Sequence, residues 1–410
     1  PAPEIVVRSL PPEHPDRALE FQLPLDAIAP GGVPLAAAAA HVLLSTTAGD
    51  PWAGYVLGPL ALFARAHGMA LTDGLRILIA SEVPTGKGVS SSAAIEVAVL
   101  RAFAAAHGSE LSGRDLALLC QQAENLIVGA PCGVMDQMTV ACGEAGQLLA
   151  LRCQPAELEP PVPLPEGLEV WGIDSGVRHA VGGSDYGAVR TAAFMGYRII
   201  AERAGLPAVS TTPGRVQIAD ARWGGYLANL TPAVWERQYR THVPEQIDGA
   251  RFLQQYQGIT DSVTTVDPAQ TYAVRACTAH PIYEHQRVRL FRALLLSGAA
   301  SDEDRGLLGE LMEQSHASYS ACGLGSPGTD RLVDLVRAAG PAAGLYGAKI
   351  TGGGSGGTVA VLARSGSAEV VHALAAQYAR ESGLPGLVLG GSSPGAMTAR
   401  VVRLASVREA

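Results

Sequence analysis

The chain has 410 residues, 48% of them hydrophobic and 17% charged, a balance that excludes a disordered tail, a small disulfide scaffold and a fibrous repeat protein. At roughly 100 to 200 residues per domain, this length predicts two domains, or one domain with a large appendage. Thirty Lys and Arg against 38 Asp and Glu give a formal net charge of −8, so neither nucleic acid nor an anionic membrane is an expected partner. Any phosphate must be held locally.

Residues 1–15 lack the basic and apolar regions of a secretory signal, and the longest apolar run, 36–44, is far short of the roughly 18 to 20 residues that span a bilayer. The expectation is a soluble, cytoplasmic protein. Six Cys, at 120, 132, 142, 153, 277 and 322, form no CxxC pair or regular spacing, which predicts reduced thiols rather than a zinc site or disulfide framework.

Residues 1–50 read as extended and Pro-punctuated, with an alternating run at 19–25 that predicts a strand. Residues 75–83 alternate as a strand, 84–92 form a Gly- and Ser-rich turn, and 93–107 are an Ala-rich helix. A second helix is expected over 114–128 with Ser112 as N-cap, and after a break at 129–133 a third carries Asp136. Strands follow at 148–153 and 168–174. The polar stretch 175–185 reads as the crossing between domains, which predicts a first domain over 1–183 and a second over 184–410. A helix is expected at 186–204, and 207–279, without clean periodicity, reads as short helices and long connections. Helical spacing returns at 283–296, 302–319 and 329–339, and an α/β alternation runs from 346 to 404.

Three segments carry chemistry. In 84-PTGKGVSSSAA-94, two glycines two apart allow a tight turn and close backbone approach, and three Ser lead into a helix whose free N–H groups favour an anion. It is neither a Walker A loop nor the GxGxxG fingerprint. Lys87 has two readings, a phosphate contact or a solvated loop tip. In 349-KITGGGSGGTVAVL-362, five Gly within six residues leave a loop so free of Cβ atoms that close backbone approach explains it better than a linker does. In 131-PCGVMDQMTVACG-143, preceded by Glu124 of 121-QQAEN-125, Asp136 is a candidate general base, the alternative being a helix-start charge stabiliser.

Together these segments resemble the GHMP kinase superfamily. The first matches its PxGxGLSSSA motif with Val89 in place of Leu, and the second matches its KxTGxGxGG motif. The CQQAEN and APCGVMDQ elements are similar to the galactokinase branch, as are 171-WGIDSGVRHAVGGSDYGAVR-190, 319-YSACGLGSPGTDRLV-333 and 390-GGSSPGA-396. The resemblance implies an α+β, two-domain GHMP kinase fold with a ribosomal protein S5 domain 2-like N-terminal domain, a ferredoxin-like C-terminal domain and an active site in the cleft between them. It implies an ATP- and Mg²⁺-dependent kinase acting on the anomeric hydroxyl of a sugar. The expected sugar is L-arabinose, with D-galactose or another C1 sugar such as glucuronate as alternatives, and a non-catalytic sensor of sugar and ATP as a competing class. The oligomeric expectation is a monomer or homodimer.

By the same resemblance Asp136 is the catalytic base. Pro84, Gly86, Lys87, Gly88, Ser90, Ser91 and Ser92 face ATP, Ser92 and Glu124 hold Mg²⁺, and Gly133, Asp136, Asp185, Tyr186, Gly353 and Gly354 meet the sugar. Arg178 and His179 are structural crossing residues or neutralise transferring charge. Family members begin with an Arg-containing segment and an acidic sugar-binding motif that this text lacks, so the expectation is that further residues precede Pro1 in the native protein.

Overall fold

The computed structural model describes residues 2–10, 20–47, 52–178 and 184–404, which fall into two compact units. The first comprises Pro1–Thr85, Val89–Pro161 and Ser392–Ala410, and the second Gly86–Gly88 and Val162–Gly391.

In the first unit, strand β1 (Glu4–Leu10) pairs antiparallel with β2 (Glu20–Pro24) and parallel with β3 (Leu75–Ala80). The alternation of EIVVRSL puts Ile5, Val7 and Ser9 on one buried face, with Val7 opposite both Phe21 and Ile77. Leu19, expected at the start of β2, lies outside the described residues. Helices α1 (Leu25–Ile28), α2 (Ala37–Thr47), α3 (Trp52–Ala66), α4 (Ser91–Ala106), α5 (Gly113–Ala123) and α6 (Met135–Cys142) complete this unit. Its core joins Ile5, Val7, Leu57, Phe63, Leu100, Leu116 and Met138.

Helix α2 overturns the extended reading of residues 1–50. Its leading AAAA run blurs the period, and Ala40 and Leu44, four apart, are fully buried on it. Helix α3 contains Gly54, Gly58 and Pro59, residues that mark breaks in a sequence. Here they serve packing: a Cβ at Gly54 would lie 3.1 Å from Val128, and one at Gly58 3.2 Å from Ala123. Ser112 caps α5 as expected, its hydroxyl accepting the Asp115 N–H at 3.1 Å. The helix does not continue regularly to 128, however, but widens at Glu124–Val128 into a π-helical turn that Gly129 ends at φ +83°. The strand expected at 148–153 is two short pieces, Gln147–Leu148 and Leu151–Arg152.

The second unit holds β4 (Leu168–Asp174), β5 (Ala208–Thr212), β6 (Gly214–Ile218), β7 (Leu345–Ile350) and β8 (Thr358–Arg364). An antiparallel sheet runs in the order β7, β8, β4 and the short strand Val388–Leu389. Its helices are α7 (Ser184–Arg203), α8 (Pro232–Val234), α9 (Gly249–Tyr256), α10 (Val274–Leu296), α11 (Asp302–Ala321), α12 (Pro327–Ala339) and α13 (Ala368–Ser382). Helix α10 begins nine residues before the expected start at 283, because Pro281, which reads as a breaker, is carried inside it. The region 207–279 is not merely short helices and connections. It contains the β5–β6 pair, Gly258–Ile259 parallel to β6, and a core built on Trp235, Tyr239, Phe252 and Tyr256.

The alternation expected up to 404 stops at Leu389, after which, among the described residues, only a 3₁₀ turn, Ala396–Thr398, is regular. That tail belongs to the first unit. The Arg101 guanidinium donates to the carbonyls of Ala396 and Met397, and the Gly395 N–H donates to the Gly143 carbonyl at 2.7 Å.

Helix α11 lies against β7 where Gly309 meets Gly347, and a Cβ at Gly309 would overlap the Tyr346 carbonyl. Gly309→Ala is therefore expected to lower unfolding free energy by about 3 kcal/mol, since backbone and not a flexible side chain must yield. Urea unfolding of the variant checks this, and a loss below about 1 kcal/mol would show that the helix can slide away.

Candidate active site

In the first unit, the segment after β3 enters α4 through Ser90, which takes the left-handed conformation (φ 62°, ψ 37°) as N-cap and makes no side-chain capping bond. Among the described residues no side chain caps the first-turn N–H groups of α4, which suits an anion. The buried Thr85 hydroxyl just ahead of this turn has no hydrogen-bond partner among the described residues.

Below that turn lies a cluster of carboxyl groups. Ser92 in the first turn of α4 hydrogen-bonds the Glu124 carboxylate, which also accepts from the Gln137 amide at 2.5 Å and from the Cys132 thiol at 3.5 Å. The same Gln137 amide donates to Glu96 at 3.1 Å, and Glu96, Glu124 and Gln137 are all buried. Asp136 sits beside them, half-buried in the first turn of α6. Burial is the main force pushing the Glu124 carboxyl up to about 7, and the Asp136 charge adds to it, while bonds from Cys132, Ser92 and Gln137 pull the other way. Glu96 is pushed well above the usual carboxylate range, first by burial and then by the Glu124 charge.

The local sequence explains how Glu124 is held. The π-helical turn directs two N–H groups, of Gly129 and Ala130, onto the Glu124 carbonyl, and His41 on α2 places Nδ1 2.8 Å from the Ile127 carbonyl. Asn125 accepts the Cys132 N–H at 2.8 Å, and the amides of Asn125 and Gln121 both donate to the Cys132 carbonyl at 3.3 Å. The QQAEN segment therefore clamps the loop that carries Cys132 and Gly133.

In the second unit, Gly86–Gly88 lie against the loop that follows β7. Gly88 at φ +68° and Gly357 at φ +77° approach so closely that a Cβ on Gly88 would stand 3.2 Å from the Gly357 Cα. The Thr358 hydroxyl donates to the Lys87 carbonyl at 2.9 Å, and the Lys87 ammonium is 2.7 Å from Asp174. The Ser355 N–H donates to the Leu324 carbonyl at 2.6 Å, and Tyr319 donates to the Gly352 carbonyl at 3.1 Å, so the loop holding Gly353 and Gly354 is tied at several points. Tyr186 is half-buried on α7 against the aromatic core. Arg178 is exposed. His179 and the Asp185 side chain lie outside the described residues.

Ser92, Glu124 and Asp136 are thus brought together within the first unit, near the exposed backbone of Gly133 and the start of α4. The glycine-rich loops meet within the second. Sequence reasoning missed Glu96, Gln137, Cys132, His41 and Asp174. One signal was available, because Ser92 and Glu96 stand four apart and share a helix face.

The donor set of Ser92 and Glu124 fits Mg²⁺, a hard cation that takes oxygen ligands and commonly uses one or two carboxylates beside waters and phosphates. Among the described residues, no group of three or more His, Cys, Asp or Glu could hold a metal unaided. A carboxylate raised by burial, with a hydroxyl beside it, is the arrangement a cation arriving with a phosphate would complete.

The profile of the GHMP kinases N terminal domain matches residues 54–144, and that of the GHMP kinases C terminal domain matches 291–380. The chain belongs to the GHMP kinase family. It is 44% identical over 417 residues to L-arabinokinase of Arabidopsis thaliana, an alignment covering 97% of this chain and 40% of that one. It is 33% identical over 339 residues to galactokinase of Chloroflexus aggregans, covering 81% of this chain and 71% of the other. The crystal structure of Lactococcus lactis galactokinase complexed with galactose shares the fold at a TM-score of 0.68 and 19% identity, over 96% of this chain and 84% of that one. No helix among the described residues is long and apolar enough to cross a membrane.

The raised Glu124 carboxyl gives a pH dependence of stability in metal-free protein. Between an unfolded value near 4.5 and a folded value of about 7, the folded chain keeps a proton that the unfolded chain has lost, so stability falls as pH rises through that window. The expected loss is about 3 kcal/mol, and Glu124→Gln should flatten the profile by that share. Denaturant unfolding of both proteins from pH 4.5 to 8 without divalent metal decides it, parallel profiles being the adverse result.

Proposed function

We propose that this chain is an ATP-dependent sugar 1-kinase that phosphorylates the anomeric hydroxyl of L-arabinose. The observation that carries the kinase reading is the convergence of Ser92, Glu124 and Asp136 at the uncapped start of α4. The choice of sugar rests on 44% identity to L-arabinokinase across 97% of the chain.

Phosphoryl transfer asks mainly for positioning and charge stabilisation. In this reading the backbone N–H groups at the start of α4 receive phosphate oxygens, with the helix dipole behind them. Ser92 and Glu124 would hold Mg²⁺, which when bound neutralises charge on the β- and γ-phosphates. Gln137 orients Glu124, its amide bridging the Glu124 and Glu96 carboxyls. Asp136 accepts the C1 hydroxyl proton as that oxygen attacks the γ-phosphorus, and the exposed Gly133 main chain backs the sugar.

D-Galactose is the second reading, favoured by the galactokinase relatives. L-Arabinopyranose is D-galactopyranose without its CH₂OH group, so the two differ by bulk at one position. Exclusion of a group that small separates substrates by about 10- to 200-fold.

A panel of free sugars with Mg²⁺ and ATP tests the proposal. The expected result is kcat/KM at least about tenfold higher for L-arabinose than for D-galactose, and the reverse order would transfer the assignment to galactose. Asp136→Asn should lower kcat by about 10²- to 10⁴-fold while MgADP affinity stays near the parent value. Turnover at the parent rate would remove Asp136 as the base.

A further inference from the structure

We propose that Lys87 is a positioning residue, not a phosphate ligand: paired with the buried Asp174, its ammonium pins the tip of the first glycine loop in a fixed conformation. The nucleotide part of this proposal rests on the kinase reading above, whereas the structural part stands without it.

The Lys87 Nζ lies 2.7 Å from Asp174 Oδ2, and the Asp174 side chain is 0% exposed against 29% for Lys87. Asp174 ends strand β4, where its N–H donates to the Leu387 carbonyl at 2.9 Å and its Oδ1 accepts the Gly176 N–H at 3.1 Å. Were Lys87 to turn toward a phosphate, Oδ2 would be left buried without a hydrogen-bond donor among the described residues. An uncompensated buried carboxylate is strongly unfavourable, so the pair holds together more firmly than an exposed one.

The pair also sits within a net of contacts that ties the second glycine loop to the end of β4 and to Lys87 and Gly88. Ser175, next to Asp174, donates through both its N–H (2.9 Å) and its hydroxyl (2.7 Å) to the Gly357 carbonyl. The Gly357 N–H returns to the Val177 carbonyl at 3.0 Å, and the Tyr378 hydroxyl holds the Ser175 carbonyl at 2.7 Å. Gly357 in turn is the residue that Gly88 approaches, and Thr358 bonds the Lys87 carbonyl. Residues 86–88 are therefore held by an ion pair at the side chain, a hydroxyl at the main chain and a backbone contact that only glycines allow. A lysine serving the phosphates would need freedom to reach them, and here the end of its chain is committed to a site inside the second unit.

The test uses the full chain with Lys87→Met, Asp174→Asn, the double variant, Lys87→Arg and Thr358→Val, the last removing the hydroxyl bond without touching either charge. Two readouts are taken: hydrogen exchange of peptides covering 84–92 and 352–360 in nucleotide-free protein, and MgADP affinity. The expected result is that Lys87→Met and Asp174→Asn each speed exchange in both peptides about tenfold and weaken MgADP to a similar extent. The double variant should add nothing to the larger single effect, and Lys87→Arg should restore protection. Thr358→Val should speed exchange in the same peptides, which keeps the proposal open to refutation if Asp174→Asn fails to fold. MgADP weakened by Lys87→Met but unchanged or tightened by Asp174→Asn would overturn it in favour of a phosphate ligand. Additive single effects, or unchanged exchange in Lys87→Met, would also overturn it. Absence of sugar turnover in the parent protein would sink the kinase reading and leave the exchange result standing by itself.

Discussion

A carboxylate removed from water must be met by donors or by a cation, and Glu124 is met by a hydroxyl, an amide and a thiol, with no ion pair among the described residues. Much of the first unit follows from that constraint. The helix before Glu124 widens into a π-helical turn, the loop after it is tied back by Asn125 and Gln121, and α2 contributes His41 to the turn's carbonyls. Gln137 must serve two acids through one amide nitrogen, which requires α4, the π-helical turn after α5 and α6 to converge on one point. Close packing of α3 through Gly54 and Gly58 supports that convergence from behind. Burial and the neighbouring acids act together here, raising the Glu124 and Glu96 carboxyls above the usual range.

The second unit solves a different problem with different means. Its glycine loops must come together at backbone distance, and it meets this need by removing side chains at Gly88 and Gly357 while supplying carbonyl acceptors and hydroxyl donors around them. Beside these loops the buried Asp174 carboxylate is paired with the Lys87 ammonium.

How far these features were legible depended on whether they were local. The β3–loop–α4 passage, the Ser112 cap, β4 and the helices at 302–319 and 329–339 are written in short-range periodicity and capping chemistry, and the structure contains them. Helix α3 was hidden because its glycines answer to Val128 and Ala123, far away in sequence, and α10 because Pro281 is tolerated within a long packed helix. Among the site residues, Ser92, Glu124 and Asp136 stood in recognisable motifs. Glu96 sat unremarked in an Ala-rich helix, and Asp174 ended an apolar strand; their meaning comes from Gln137 and Lys87, 41 and 87 residues away. Partnerships across such distances leave no mark in a local pattern.

The return of the tail to Gly143 and Arg101 has a consequence for how the chain reaches its native state. Because Ser392 and the residues after it belong to the first unit, the second unit is an insertion within the first, bounded on both sides by it. The bonds from Arg101 to Ala396 and Met397 span 295 and 296 positions, so they form only after the contiguous part of the second unit, Val162–Gly391, has been made. A ribosome releasing this chain therefore emits the first unit early but lets it close last. Until then Arg101 and the Gly143 carbonyl stand without these partners, while the second unit, with all but Gly86–Gly88 contiguous, has its full sequence by residue 391.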